Sequence, residues 1–486
     1  MSQEVRKLQP TILWNNFENL NAVPRPSKKE EKVRAFLREF ATKHSIDYTE
    51  DAIGNFILRK PATKGLENKT KVILQAHMDM VHQKNSDVDF DFSTQGIISK
   101  IDGEWVKAEG TTLGSDNGIG VAAIMSVFES KEIQHGPIEA LITVDEETGM
   151  TGAFNLQAGI LTGKILLNLD SEEDNEICVG CAGGIEVNVT KKYDEKNIPD
   201  NHKGFSISVK GLKGGHSGVD IHLGRGNANK IMNRLLFDAS EKFSLRISSV
   251  KGGSLRNAIP RESFVSAVIP AEKEDAFKAY LVAFAQQIKH ELKMEDKLVI
   301  TAEPTGLPEK VMKEKSQKDF LKSIYACPNN VIAMSTDIPG LVETSNNLAK
   351  VTVHGGEISI QCLGRSNGEE GKEELVRSIR AVFEMYDAEI LFKGSYPGWK
   401  PYMSSPILQV ARDKYKELFK EDAKVMAIHA GLECGILGKH LPGVEMISFG
   451  PNIRAAHSPD EKVQISSVQK FWSYLLETLK HIPQNA

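Results

Sequence analysis

Along the first 180 or so residues, apolar positions come in short β-prone runs that stop abruptly at an acid or an imidazole. The runs are ILQAHMDMVH (73–82), LITVDEETG (141–149) and ILLNLDSEE (165–173), and the glycine-rich GTTLGSDNGIG (110–120) lies between the first two. Runs of this length read as buried strands, at 71–75, 138–144 and 164–169. Between them the period lengthens to that of helices. Segments 11–22 and 29–43 are amphipathic, the second lining Val33, Phe36, Leu37 and Phe40 along one face, and 117–130 is apolar enough to be a buried helix. Segment 51–59 reads as a strand beside 71–75. Strands alternating with helices predict an α/β fold: a mostly parallel, doubly wound sheet covered on both faces.

From about residue 184 the texture changes. Strands at 205–211, 244–250 and 264–269 accompany helices at 227–240 and 272–292. A second round comes next, with paired strands at 349–353 and 357–363, a helix at 369–385 and a strand at 389–393. Each round contains a polar loop, GGHSG in one and GRSNG in the other, so an internal duplication is one reading of the stretch. After SYPGWKP (395–401) the α/β texture resumes, with helix 406–419, strands 424–428 and 443–448, and a closing helix 468–481. The expected organisation is one domain built from 1–184 and 398–486, with an α+β domain, 185–397, inserted into it.

Composition narrows the class. A chain of 486 residues exceeds what one core usually organises. With 40% hydrophobic and 26% charged residues it reads as an ordinary soluble protein, and a formal charge of -5 with acids and lysines interspersed gives no reason to expect nucleic acid. The start, MSQEVRKLQP, lacks the pattern of a signal peptide, and no apolar run approaches roughly 18 residues, so the expectation is a cytoplasmic protein without a membrane partner. Five scattered cysteines suit a reducing compartment, and Cys178 and Cys181 read as small buried thiols.

The chemistry-bearing positions are His77, Asp79, Asp116, Glu146, Glu147, Asp170 and a distant His457. Each alone has a mundane explanation, as His82 does. Together, imidazoles and carboxylates at strand ends of one sheet, without clustered cysteine, form a zinc-type donor set. Glu146 and Glu147 are expected at an extended strand end, where neighbours point to opposite sides.

Five motifs in order, HMDMV, GSDNGIG, DEETG, NLDSEE and AHSPDE, resemble those of the di-zinc family of aminopeptidases, carboxypeptidases, dipeptidases and aminoacylases. The insert and the stretches GGHSG, LRNAIPRE, GRSN and HAGLECG look most like its aminoacyl-histidine dipeptidase branch, the bacterial carnosinase-like enzymes. The resemblance implies two Zn²⁺ ions, replaceable by Co²⁺ or Mn²⁺. Asp116 would bridge them, His77 and Asp170 would hold one, and Glu147 and His457 the other. Asp79 would fix the His77 tautomer. Glu146 would be the general base toward a metal-activated water. The insert would be a lid, with His216 stabilising the oxyanion, Asn257 and Arg365 holding the substrate carbonyl and C-terminal carboxylate, and Gly431 offering its backbone to that carboxylate. His429 and Glu433 would be pocket walls. The implied activity is hydrolysis of unblocked dipeptides, preferably ending in histidine; the alternatives are an aminoacylase or amidohydrolase for N-acyl amino acids and, more remotely, an inert binding protein. The partner would be a small dipeptide. A homodimer assembled through the lid and a doubled lid within one chain both remain open.

Overall fold

The computed structural model describes residues 2–484 and separates into two compact units. The first comprises Met1–Gly180, Pro401–Ala427 and Leu432–Ala486, and the second Cys181–Lys400 and Ile428–Gly431.

The chain opens with helices α1 (Thr11–Asn21) and α2 (Glu31–His44), which bury Leu13, Trp14, Phe17 and Leu20 and then Val33, Leu37 and Phe40. Strands β1 (Asp47–Glu50), β2 (Phe56–Lys60) and β3 (Val72–His77) come next, then helix α3 (Ser115–Glu129), β4 (Ile138–Thr143), β5 (Ile165–Asn168) and β6 (Glu176–Cys181). Every residue of β3, β4 and β5 is buried. Successive strand residues face opposite sides, so both faces of this sheet are covered.

In the second unit the chain lays down β7 (Gly183–Lys192), β8 (His202–Lys210), α4 (Ala228–Phe243), β9 (Arg246–Gly252), β10 (Ser263–Pro270), α5 (Glu274–Glu291) and β11 (Val299–Thr305). It continues with α6 (Glu314–Ala326), β12 (Val342–His354), β13 (Glu357–Ser366), α7 (Glu369–Met385) and β14 (Glu389–Tyr396). The return to the first unit adds α8 (Pro406–Phe419), β15 (Lys424–Ile428), α9 (Glu433–His440), β16 (Glu445–Ser448) and α10 (Ile465–Lys480).

The first unit's main sheet has the order β1-β2-β4-β3-β5-β16-β6-β15. Its middle four strands are parallel, with His77 opposite Thr143 and Gln75 opposite Asn168, while β1, β2 and β6 join antiparallel. One expectation needs correction: β2 and β3 are not neighbours, because β4 lies between them and pairs with both. Adjacency is set by long-range pairing, which the local apolar pattern does not encode.

The second unit's sheet runs β11-β8-β10-β9-β12-β13-β7-β14, with Asn330–Met334 added beside β12. It consists of two βαββαβ copies. In the first, β8-α4-β9-β10-α5-β11 gives the spatial order 4-1-3-2, all antiparallel. In the second, β7-α6-β12-β13-α7-β14 gives the same order, and the two copies meet where β9 pairs with β12. The first copy is inserted within the second, and a small antiparallel ribbon, Glu195–Asn197 with Lys310–Met312, closes the neck of the insertion. One apolar layer under the sheet is shared by both, from Val187 and Phe205 through Phe277 to Phe320 and Phe383.

Candidate metal centre

The three parallel strands β3, β4 and β5 end at one edge of the sheet, so the residues at and just beyond their carboxyl ends are delivered to one place. His77 is the last residue of β3, Glu146 begins the short helical turn Glu146–Gly149 after β4, and Asp170 lies two residues past β5. Asp116 sits in the first turn of α3, before a cis peptide to Asn117, and His457 lies in the loop that precedes α10.

These side chains form two trios that share Asp116. His77 Nε2 is 3.1 Å from Asp116 Oδ1 and 3.4 Å from Asp170 Oδ1. His457 Nε2 is 3.2 Å from the other oxygen, Asp116 Oδ2, and 3.0 Å from Glu147 Oε2. Asp79 is fully buried behind His77, its Oδ1 3.3 Å from Nδ1, and its two oxygens also accept the backbone N–H groups of Glu146 (3.0 Å) and Glu147 (3.3 Å). One carboxylate therefore lies against the ring and holds the turn that carries both glutamates. That turn departs from the extended geometry expected of Glu146 and Glu147: Asp145, at φ 49°, bends the chain into a helical turn, where neighbours diverge by about 100° instead of opposing each other.

The acids and imidazoles of the cluster shift one another's pKa values strongly. Burial alone would lower the His77 pKa, but Asp170, Asp116 and Asp79 outweigh it and raise it well above the usual imidazole value. Hydrogen bonds to Asp116 and Glu147 push His457 up to about 11. Burial pushes Asp170 up to about 6 and Glu146 well above the carboxylate range, with the neighbouring acids adding to both. Buried Glu147 Oε1 and Asp170 Oδ1 lack any hydrogen-bond partner. Two nitrogen and two carboxylate donors around a shared carboxylate fit a pair of divalent cations. Glu146 belongs to neither trio.

Another buried acid trio, Glu30, Asp79 and Asp145, lies under the Glu146 turn, where backbone N–H groups and the hydroxyls of Thr148 and Thr151 satisfy its oxygens. Glu433 opens α9 and is fully buried. Its Oε2 accepts from Gln75 (2.7 Å) and Thr143 (2.8 Å), and burial pushes it up to about 8.

The remaining expected residues gather within the second unit. His216 Nδ1 accepts the N–H groups of Gly218 (3.2 Å) and Val219 (3.1 Å), so a neutral ring carries its proton on Nε2. Burial and the nearby Arg365 charge lower its pKa and keep it neutral. Asn257 is exposed, and its carbonyl accepts Ser217 N–H at 2.8 Å. Arg365, on β13, is buried with Nε unpartnered, and its Nη1 donates to Tyr396 Oη at 3.0 Å. The same tyrosine ring lies where a Cβ on Gly431 would stand, at 2.9 Å, which leaves that backbone bare. His429 is bonded to Ser345 at 2.7 Å and is pushed down to about 3 by burial and Arg365. Tyr396 has no local sequence mark, since it closes an edge strand of alternating exposure.

Comparisons with known proteins place the chain in a family. Residues 73–481 match the model of peptidase family M20/M25/M40. The cytosol non-specific dipeptidase of Escherichia coli (strain K12) is 42% identical over 481 residues, covering 99% of each chain. The crystal structure of aminoacylhistidine dipeptidase from Vibrio alginolyticus superposes with a TM-score of 0.97 at 46% identity, covering 100% of this chain and 99% of that one. Aminopeptidase PepT from Bacillus cereus ATCC 10987, at 18% identity and a TM-score of 0.58 over 98% of this chain and 99% of its own, shares the fold. The chain therefore belongs to peptidase family M20/M25/M40.

Proposed function

We propose that this metallo-dipeptidase hydrolyses unblocked dipeptides, preferring a C-terminal histidine, at a centre of two zinc ions. The observation that carries the reading is the pair of trios sharing Asp116, with the half-buried Glu146 beside them and outside both. His77, Asp116 and Asp170 would hold one ion; Asp116, Glu147 and His457 would hold the other. When bound, the ions activate water and polarise the scissile carbonyl, and Co²⁺ or Mn²⁺ can replace zinc because nitrogen and oxygen ligands select weakly among these metals. Glu146 accepts the proton of the attacking water and passes it to the leaving amine, a task suited to a carboxylate whose pKa desolvation raises above the usual carboxylate value. Asp79 orients His77.

The second unit acts as a lid. His216 presents an Nε2 proton to the developing oxyanion. Asn257 holds the substrate carbonyl, while Arg365 and the bare backbone at Gly431 take the C-terminal carboxylate. The histidine preference is supported by the name of the Vibrio relative, whereas the Escherichia coli relative is named non-specific. That relative's name also supports a cytosolic location.

The test is hydrolysis of a free histidine-ending dipeptide, its N-acetylated form, its C-terminal amide and a tripeptide, before and after removal of metal by a chelator and addition of Zn²⁺. The free dipeptide should be the preferred substrate, with activity lost on chelation and restored by zinc. Preference for the N-acetylated form would show an aminoacylase instead, and full activity without metal would overturn the mechanism. Arg365→Met should weaken the free dipeptide by about 1.5–3 kcal/mol, the worth of a charged hydrogen bond, and spare the amide.

A further inference from the structure

Two buried residues of opposite charge grip the main chain that carries Asp116, and neither belongs to the two trios of metal ligands. Glu461, only 2% exposed, accepts five hydrogen bonds from one short segment. Its Oε2 takes Leu113 N–H (2.8 Å) and Gly114 N–H (2.9 Å). Its Oε1 takes Ser115 N–H (2.7 Å), Ser115 Oγ–H (2.6 Å) and Asp116 N–H (3.2 Å). From the other side Arg25, 1% exposed, donates Nη2–H to the carbonyl of the same Gly114 (2.5 Å) and Nη1–H to the carbonyls of Met78 (3.3 Å) and Asp79 (3.2 Å). The guanidinium reaches this far because Gly114 and Gly118 lack side chains: a Cβ on either would stand 2.5–2.6 Å from Arg25 Nη2. Three chain segments are thereby tied together. Arg25 fixes the two residues after His77, both fix the turn before Asp116, and Glu461 lies four residues past His457 in the same loop.

We propose that Glu461 and Arg25 are positioning residues that clamp the Leu113–Asp116 turn, so that Asp116 is held ready to serve both metal positions at once. The clamp rests on the assignment of Asp116 as the shared ligand of a two-metal centre. Bonds to carboxylate oxygens are all of one polarity here, since every group facing Glu461 is a donor. Glu461→Gln keeps the size but turns an amide N–H toward those donors, and the turn loses its grip. Because Asp116 is shared, both ions should be affected, unlike a substitution at Glu147, which removes a ligand from one.

The experiment is a zinc titration of chelator-stripped full-length protein against a chromophoric competitor, for wild type, Glu461→Gln and the milder Ser115→Ala, with melting temperatures of each protein stripped and zinc-loaded. We expect Glu461→Gln to weaken zinc binding at both positions by roughly 10–100-fold, the range for residues that orient ligands, with Ser115→Ala shifted in the same direction by less. The zinc-induced rise in melting temperature should shrink accordingly. A merely structural role would lower the stripped and loaded melting temperatures equally and leave zinc affinity and stoichiometry as in wild type; that result overturns the clamp. If Glu461→Gln does not fold, Ser115→Ala decides by the same criterion. Wild-type protein that takes up no zinc would refute the metal centre itself, whereas wild-type binding with unaltered variants refutes only the clamp.

Discussion

Glu146 and Glu147 share a turn and a supporting carboxylate, yet their side chains meet different surroundings. Glu147 Oε2 lies 3.0 Å from His457, whereas Glu146 is set among Asp170, Glu433 and His77 without joining either trio. Glu146→Gln keeps size and hydrogen bonding but removes the proton acceptor, so near-normal zinc content with turnover lower by at least about 10²-fold is expected. Glu147→Gln should lower zinc occupancy and melting temperature together, with partial recovery in excess zinc. Metal analysis and kinetics on the two variants decide, and the reverse pattern would exchange the two assignments. His429, which belongs to neither trio, offers a pH test. Its folded pKa is depressed to about 3, below the free imidazole value of 6.5, so the unfolded chain binds the extra proton first. Its effect on stability is absent above the free value, and stability is lost progressively as pH falls from about 6.5 toward 3, by up to ~1.4 kcal/mol per pH unit. Chemical denaturation of His429→Gln across that window should show a flatter pH dependence than wild type; parallel curves would remove His429 as a source of acid sensitivity. At this scale the sequence marks His77 and Asp170, because each ends a run too apolar to be exposed. Nothing local marks Arg25, and the AHSPDE motif that Glu461 closes assigns it no role. An arginine between prolines and an acid in the run Asp460-Glu461-Lys462 look like surface charge until tertiary contacts bury them.

Elements with a strong two-sided or one-sided pattern are legible in the sequence, and those at edges are not. The helices Glu369–Met385 and Pro406–Phe419 stand out because each buries one stripe, Leu375, Ile379 and Phe383 in the first and Ile407, Leu408, Ala411 and Tyr415 in the second. Strand β11 has the burial of an outer strand, largely exposed past Ile300, so neither period shows. Helix α6 carries Gln317, Phe320, Leu321 and Ile324 at helical spacing, but its short apolar face is masked by the lysine-rich stretch in which it lies. Helix α4 shows what a cap adds. Asn227 Oδ1 accepts the N–H groups of Asn229 (2.9 Å) and Lys230 (3.2 Å), while its Nδ2 donates to Leu348 O in β12, which joins the two copies of the repeat. Asn227→Ala should therefore destabilise the fold by about 1–2 kcal/mol, the upper part of the capping range, measured by chemical denaturation. An unchanged transition would show that the helix start is held by packing alone.

At the scale of the whole molecule, the nesting of one βαββαβ copy inside the other sets an order of assembly. Within the inserted copy, partners are close along the chain, as with Ser206 opposite Ser266. In the enclosing copy the first strand must find partners far downstream, Ile185 opposite Gly364, and its closure is shortest only once the inserted copy has drawn its own ends together at the Glu195–Asn197 and Lys310–Met312 ribbon. Loop-closure entropy and contact order both favour the inner copy forming first. Pulse-labelled hydrogen exchange during refolding should accordingly protect amides of β8, β10 and β11 before those of β7 and β13; earlier protection of β7 would rule this order out. A chain growing from the ribosome meets the same constraint. Strand β7 emerges first of all the sheet's strands but stays without its β13 partner until more than half of the second unit has been made, so the inner copy matures while the strand that will flank its twin is still waiting.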